Sequence, residues 1–295
     1  MNFHPFRLLI GKISKPGIPE PDFLCVGMEK AATGWLYDQL RSHPDFWMPP
    51  IKELRYLHVG TPQMEDLVQL LKHQKETGKR AYGANQIFLE EAGTLAGHPR
   101  NLDRYGALFR FKGKHISGDI SPGYWRLSPP DIAAVAARFP NLRVLLMVRD
   151  PVERAWSHIS MLHRRSAFDA EIAKDGTVFN RWFARSPVKR ATFASRVPQR
   201  WAESAPATSF RHFFFDDVVA TPQNVRADII SFLGGNPQRT TRKFSADYNR
   251  KASFAKLPLS ESVRTVLVEQ LGDEIRNCAR VFGGPAEQWL ARYGL

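Results

Sequence analysis

The chain has 295 residues, 43% of them hydrophobic and 24% charged, with a net charge of +13. That length suits one large α/β domain or two small ones, and the composition excludes disordered and fibrous classes. The surplus of positive charge favours anionic partners, among them phosphorylated cofactors, acidic glycans, nucleic acid and anionic lipid, without choosing between them.

Residues 1–20 carry Pro16, Gly17 and Pro19 and predict an extended N-terminal arm, with a single domain over 21–295. The first ten residues are broken by His4, Pro5 and Arg7 and do not make a secretory apolar core. No apolar run approaches the ~20 residues of a membrane span. The cysteines number two, Cys25 and Cys278, and such sparse usage fits a reducing compartment. A cytoplasmic protein is expected, with peripheral contact to an anionic membrane surface left open.

Apolar runs at 23–28, 114–117, 144–148 and 210–215 read as strands. The run 144–148 is continuously apolar, as a strand covered on both faces is. Helical segments between them predict an α/β fold with a central parallel sheet flanked by helices. The first helix opens at Thr33, read as its cap, and ends near His43 and Pro44. Further helices are expected over 62–75 and 130–139. Asp150 and Pro151 form an N-cap and N1 pair opening a helix over 151–164. Two more are expected over 191–202 and 222–233, and the polar stretch 166–190 reads as an irregular surface excursion.

Three constellations carry chemistry. Lys30, in the turn between the first strand and a helix start, can reach the oxygen bridging a phosphate and a leaving group, or it can be a solvated surface lysine. The turn is not G-x-x-x-x-G-K-[ST], so it is no Walker A loop. Arg149 follows a buried strand, where ligands bind in open α/β sheets, and Asp150, Arg154 and Ser157 share a face of the next helix. An arginine fork and a serine hydroxyl suit a phosphate monoester, while pairing of Arg149 with a carboxylate is the plain alternative. Glu53, between Lys52 and Arg55, reads as a surface ion pair or as a general base.

Together these segments resemble the sulfotransferases that use 3′-phosphoadenosine 5′-phosphosulfate, especially bacterial members similar to the heparan sulfate type. Lys30, Ala31, Ala32 and Thr33, followed by Gly34 and Trp35, occupy the 5′-phosphosulfate loop K-x-G-T. Arg149, Asp150, Pro151, Arg154 and Ser157 match the 3′-phosphate motif R-D-P-x-x-R-x-x-S intact. Glu53 stands in the E-x-x-F-F element whose glutamate is the catalytic base, and the segment 118–124 is similar to G-E-K-S-P-x-Y. Arg200 and Trp201, then Phe214 to Val218, look like later landmarks, so the resemblance spans roughly 22–235. Departures are alanines at 31 and 32 in place of the loop glycine and Ile120 in place of a lysine of the heparan type.

The resemblance implies a P-loop-like three-layer fold and in-line transfer of a sulfuryl group to an acceptor hydroxyl or amine. Glu53 is then the base and Lys30 the group at the leaving oxygen. Lys30 to Trp35 hold the 5′-phosphate, Arg149 and Ser157 the 3′-phosphate, and Arg250 and Lys251 stand in the basic loop that closes over the donor. A carbohydrate or glycolipid acceptor is expected, and no metal and no nucleic acid. His58, His158 and His163 read as structural or surface groups. The rival readings are a P-loop nucleotide kinase and a basic protein that binds nucleic acid or another polyanion.

Overall fold

The computed structural model describes residues 19–58, 61–77, 84–239, 244–248 and 256–295. The arm expected over 1–20 lies outside these residues except for its last two positions. Four strands, β1 (Phe23–Gly27), β2 (Gly118–Ile120), β3 (Arg143–Val148) and β4 (Ser209–Phe214), make one parallel sheet in the order β2-β1-β3-β4. Every residue of β1 is buried, as are Val144 to Val148 of β3, so helices cover both faces of the sheet. Gly118 pairs with Phe23, and a Cβ there would fall 2.2 Å from the Phe23 carbonyl oxygen. No other residue fits that register.

The helices are α1 (Thr33–Ser42), α2 (Thr61–Thr77), α3 (Ala84–Gly93), α4 (Leu102–Ala107), α5 (Pro129–Arg138), α6 (Pro151–Arg164) and α7 (Gly176–Arg185). Then come α8 (Pro187–Arg190), α9 (Arg196–Ser204), α10 (Phe215–Ala220), α11 (Pro222–Phe232), α12 (Glu261–Phe282) and α13 (Pro285–Tyr293). The α6 cap is as the sequence predicts: Asp150 accepts from the Val152 and Glu153 amides at 2.9 and 3.3 Å. Val152, Trp156 and Ile159 form its core face. None of the described helices is long and apolar enough to cross a membrane.

The strand order explains where a site can form. The chain leaves β1 toward β2 on one side and leaves β3 toward β4 on the other. The adjacent carboxyl ends of β1 and β3 therefore flank a topological switch point, where open α/β sheets leave a crevice.

Four expectations are corrected. The second strand is not 114–117 but Gly118–Ile120, because Ile116 makes only an isolated bridge to Phe46. Thr33 is not the cap of α1; it is the first helical residue, and Ala32 stands at the cap with φ 67° and no side-chain bond. The stretch 166–190 is not irregular. It holds a 3₁₀ turn, α7 and α8, and Phe179 and Phe183 of α7 are fully buried. The helix expected over 191–202 begins only at Arg196, because Glu274 of α12 accepts from the Ser195 amide and hydroxyl at 2.9 and 2.7 Å and fixes the start there.

Candidate active site

The turn from β1 into α1 is tied to the sheet by the Met28 amide, which donates to the Met147 carbonyl at 2.7 Å. It closes on itself through Ala31 N–H to the Met28 carbonyl at 3.3 Å. Lys30 and Ala32 both have positive φ, 71° and 67°, so this turn demands the left-handed region twice without a glycine. The first amides of α1 follow this turn, and an unpaired helix start favours an anion. Thr33 is buried there, and Gly34 is half-buried beside it. Trp35 donates to the Ala246 carbonyl at 2.6 Å and Gln39 to the Ser245 carbonyl at 2.9 Å. These bonds fasten residues 244–248 onto α1, immediately ahead of the basic segment that contains Arg250 and Lys251. Those two lie outside the described residues.

Left-handed φ costs a non-glycine residue about 1–2 kcal/mol, partly offset by glycine's larger unfolded-state entropy. Ala32→Gly is therefore expected to stabilise the fold by up to about 1 kcal/mol, read as a raised Tm; a lowered Tm contradicts the account of this turn.

Arg149 leaves the end of β3 and crosses to the same turn. Its Nη1 donates to the Lys30 carbonyl at 3.1 Å, its Nη2 meets Glu153 at 3.2 Å, and its guanidinium lies 4.2 Å from the Phe215 ring centre. Its Nε is buried and has no partner among the described residues. Burial pushes the Arg149 pKa down against the pull of Glu153 and Asp150. Arg154 lies beneath, 1% exposed, donating to the Val188 carbonyl at 2.9 Å, to Thr192 Oγ1 and to the Glu29 carbonyl at 3.5 Å. Both arginines of the motif thus bind the backbone of residues 29 and 30. Ser157 stands half-buried further along α6.

Glu53 sits beyond β2, in a short loop where it and Arg55 have φ 68° and 55°. The loop is held from below. The Leu54 amide donates to Asp119 Oδ1 at 3.3 Å and the Arg55 amide to Ser121 Oγ at 2.9 Å. Asp119 is buried and takes further bonds from Ser121 at 2.8 Å, Tyr105 at 3.1 Å and the Tyr124 hydroxyl. Burial alone would raise the Glu53 pKa, but Lys52 and Arg55, the latter at 2.6 Å, more than offset it and hold the carboxyl below its usual range.

Sequence reasoning missed two neighbours, Glu29 and Arg126. Glu29 accepts from Trp125 Nε1 at 2.9 Å and from Arg126 at 3.1 Å, and Arg126 lies 4.6 Å from the Trp125 ring centre. His158 is half-buried; burial and the charges of Arg154 and Lys30 lower its pKa to about 4. His58, edge-on to Tyr124, is lowered to about 4 by burial and by Arg126 and Arg55. Both imidazoles are neutral at pH 7. Of the aromatic residues near these motifs in the sequence, Trp35 and Tyr56 are buried, and Trp47 stacks on Phe111. Trp125 is the one beside Glu29. Among the described residues no group of His, Cys, Asp or Glu is placed to hold a metal ion.

A family model described as sulfotransferase family matches residues 21–236. The chain is similar to the solved sulfotransferase from Alicyclobacillus acidocaldarius, at 20% identity over 92% of this chain and 98% of that one, with a TM-score of 0.63. It is also similar to the sulfotransferase domain of the olefin synthase of Synechococcus PCC 7002, at 15% identity over 85% of this chain and 94% of that one, with a TM-score of 0.43. The sulfotransferase domain of the curacin biosynthetic pathway aligns at 16% identity over 86% of this chain and 98% of that one, with a TM-score of 0.48. Among curated proteins none matches the chain. The Alicyclobacillus structure shares the fold, the family match spans most of the residues that build the sheet and crevice, and the chain belongs to the sulfotransferase family.

Proposed function

We propose that the sulfuryl donor is 3′-phosphoadenosine 5′-phosphosulfate and that the acceptor is a hydroxyl of a carbohydrate or glycolipid. The observation that carries the donor reading is the bond from Arg149 to the Lys30 carbonyl at 3.1 Å. It sets the Arg149 guanidinium on the backbone of Lys30, and the motifs assign these two residues to opposite phosphate ends of a single nucleotide. The orphaned, buried Arg149 Nε and the open amides of α1 supply donors that such an anion would satisfy.

When bound, the donor supplies the sulfuryl group and a nucleotide phosphate as leaving group. The chain's own residues do the rest. Thr33, with the backbone of Ala31, Ala32, Gly34 and Trp35, holds the 5′-phosphate against the positive end of α1. Arg149 and Ser157 grip the 3′-phosphate, and this remote binding orients the reacting end. Lys30 neutralises charge on the leaving oxygen. Glu53, ionised at neutral pH, accepts the acceptor proton. Arg250 and Lys251 belong to the same reading on resemblance alone. Trp125, half-buried and apolar-faced beside this crevice, suits the face of a sugar ring.

A thermal-shift titration tests the donor. Adenosine 3′,5′-bisphosphate at a hundred times its Kd is expected to stabilise the fold by about 2.7 kcal/mol. Stabilisation by ATP–Mg²⁺ alone would overturn the reading in favour of a nucleotide kinase, and salt-sensitive binding to DNA without response to the bisphosphate would favour a polyanion-binding protein. The acceptor is tested by donor-dependent transfer to a panel of glycans and glycolipids; transfer to phenols only would overturn the carbohydrate assignment.

A further inference from the structure

A cavity of about 280 Å³ opens beside Arg149, between α6, the start of α10 and α13. Its walls include Arg149, Asp150, Glu153, Phe215, Asp216 and Arg292. Glu153 pairs with the Arg149 guanidinium at 3.2 Å, and the carboxylates of Asp150 and Asp216 line the same cavity. Such an arginine, left to its neighbours, is an ion-pair partner rather than a phosphate receptor.

α13 changes that balance. Arg292 Nη1 meets Asp150 Oδ2 at 2.8 Å, and its Nη2 stands 3.9 Å from Asp216. Tyr293 donates its hydroxyl to the same Asp150 oxygen at 2.8 Å, and Trp289 Nε1 donates to Asp216 Oδ1 at 3.2 Å. Asp150 is 1% exposed and spends its other oxygen on capping α6. Of the three carboxylates, only Glu153 then remains paired with Arg149, and its side chain is 38% exposed and can turn to solvent.

We infer that Arg292 is a positioning residue of the donor site: by holding Asp150 and Asp216 it leaves the charge of Arg149 to the 3′-phosphate of the nucleotide. This rests on the donor reading above. It lies outside the family match, which ends at residue 236, and joins the motif to a side chain 142 residues away.

The test compares two ligands that differ only in that phosphate, adenosine 3′,5′-bisphosphate and adenosine 5′-monophosphate, by calorimetric titration of the whole chain. In Arg292→Gln the released carboxylates compete for Arg149. The bisphosphate is expected to bind about tenfold more weakly, while the monophosphate is unchanged. Arg292→Lys is expected to keep most of the affinity. Adding Asp216→Asn to Arg292→Gln removes one freed charge and should restore several-fold of the loss, which a merely structural role would not do. Equal weakening of both ligands, an unchanged bisphosphate affinity, or no recovery in the double variant each overturns the inference. A wild-type chain that binds the two ligands equally overturns the donor reading and this inference with it.

Discussion

Glu53→Gln is expected to lower kcat by about 10²–10⁴ while leaving the donor KM within a few-fold of the parent. The described bonds of the Glu53 carboxyl run to Lys52 and Arg55, so on the proposed reading its charge bears on the acceptor proton rather than on donor binding. Its carboxyl is held below the usual range because Lys52 and Arg55 outweigh the burial that pushes it up. The base is therefore already ionised near neutrality, and the acid limb of kcat should fall only as the pH drops through that lowered value. Lys52→Met removes one of the two cations, raises the Glu53 pKa and should move that limb to higher pH, a displacement that a surface ion pair would not produce. The fold should tolerate both changes. The ion pairs of Glu53 are partly exposed, each worth about 1 kcal/mol or less, and the loop is fixed instead by amides bonded to Asp119 and Ser121. Retained kcat in Glu53→Gln, with donor and acceptor saturating, removes the assignment of the base.

The parts of this molecule that were legible in its sequence are those written in contiguous residues. The apolar runs of β1 and β3, the Asp150 and Pro151 start of α6 and the core stripe of Val152, Trp156 and Ile159 each have a local signature. The strand at Gly118–Ile120 did not, because three residues carry no period and its strongest signal is a glycine required by the Phe23 carbonyl. The stretch 166–190 looked polar because only one stripe of α7, Phe179 and Phe183, is buried, and α12, which packs against α7, lies far along the chain. The site shows the same division. Lys30, Glu53 and Arg149 stand in short motifs, whereas Glu29 with Trp125, Asp119 with Leu54, and Arg292 with Asp150 are pairs made by the fold. Nothing in the spacing of 150 and 292 marks a contact. The ionisation of His58 and His158 is likewise set by burial, with cations from several segments adding to it.

Lys30→Ala is expected to cost about 10²–10³ in kcat, the usual effect of removing one electrostatic group from a developing charge. The substitution is a clean one for a physical reason. Lys30 carries two separate groups: a backbone carbonyl that receives Arg149 and a side-chain ammonium, which the proposed mechanism sets at the leaving oxygen. Alanine deletes the second and keeps the first, and at φ 71° it adds no strain that lysine does not already carry. Binding of adenosine 3′,5′-bisphosphate, which lacks the transferred group, should therefore weaken far less than kcat falls. The position of the ammonium has its own readout. Burial and the charge of Arg154 lower the His158 pKa to about 4, and the charge of Lys30 adds to them. Removing that positive charge favours the imidazolium, so the His158 titration followed by NMR should move upward toward 6.5, while that of His43, whose pKa is set by burial, Asp45 and Arg226, should not move. Loss of turnover with an unmoved His158 would place the lysine elsewhere and assign the defect to the loop. An unmoved kcat would take Lys30 out of the chemistry altogether.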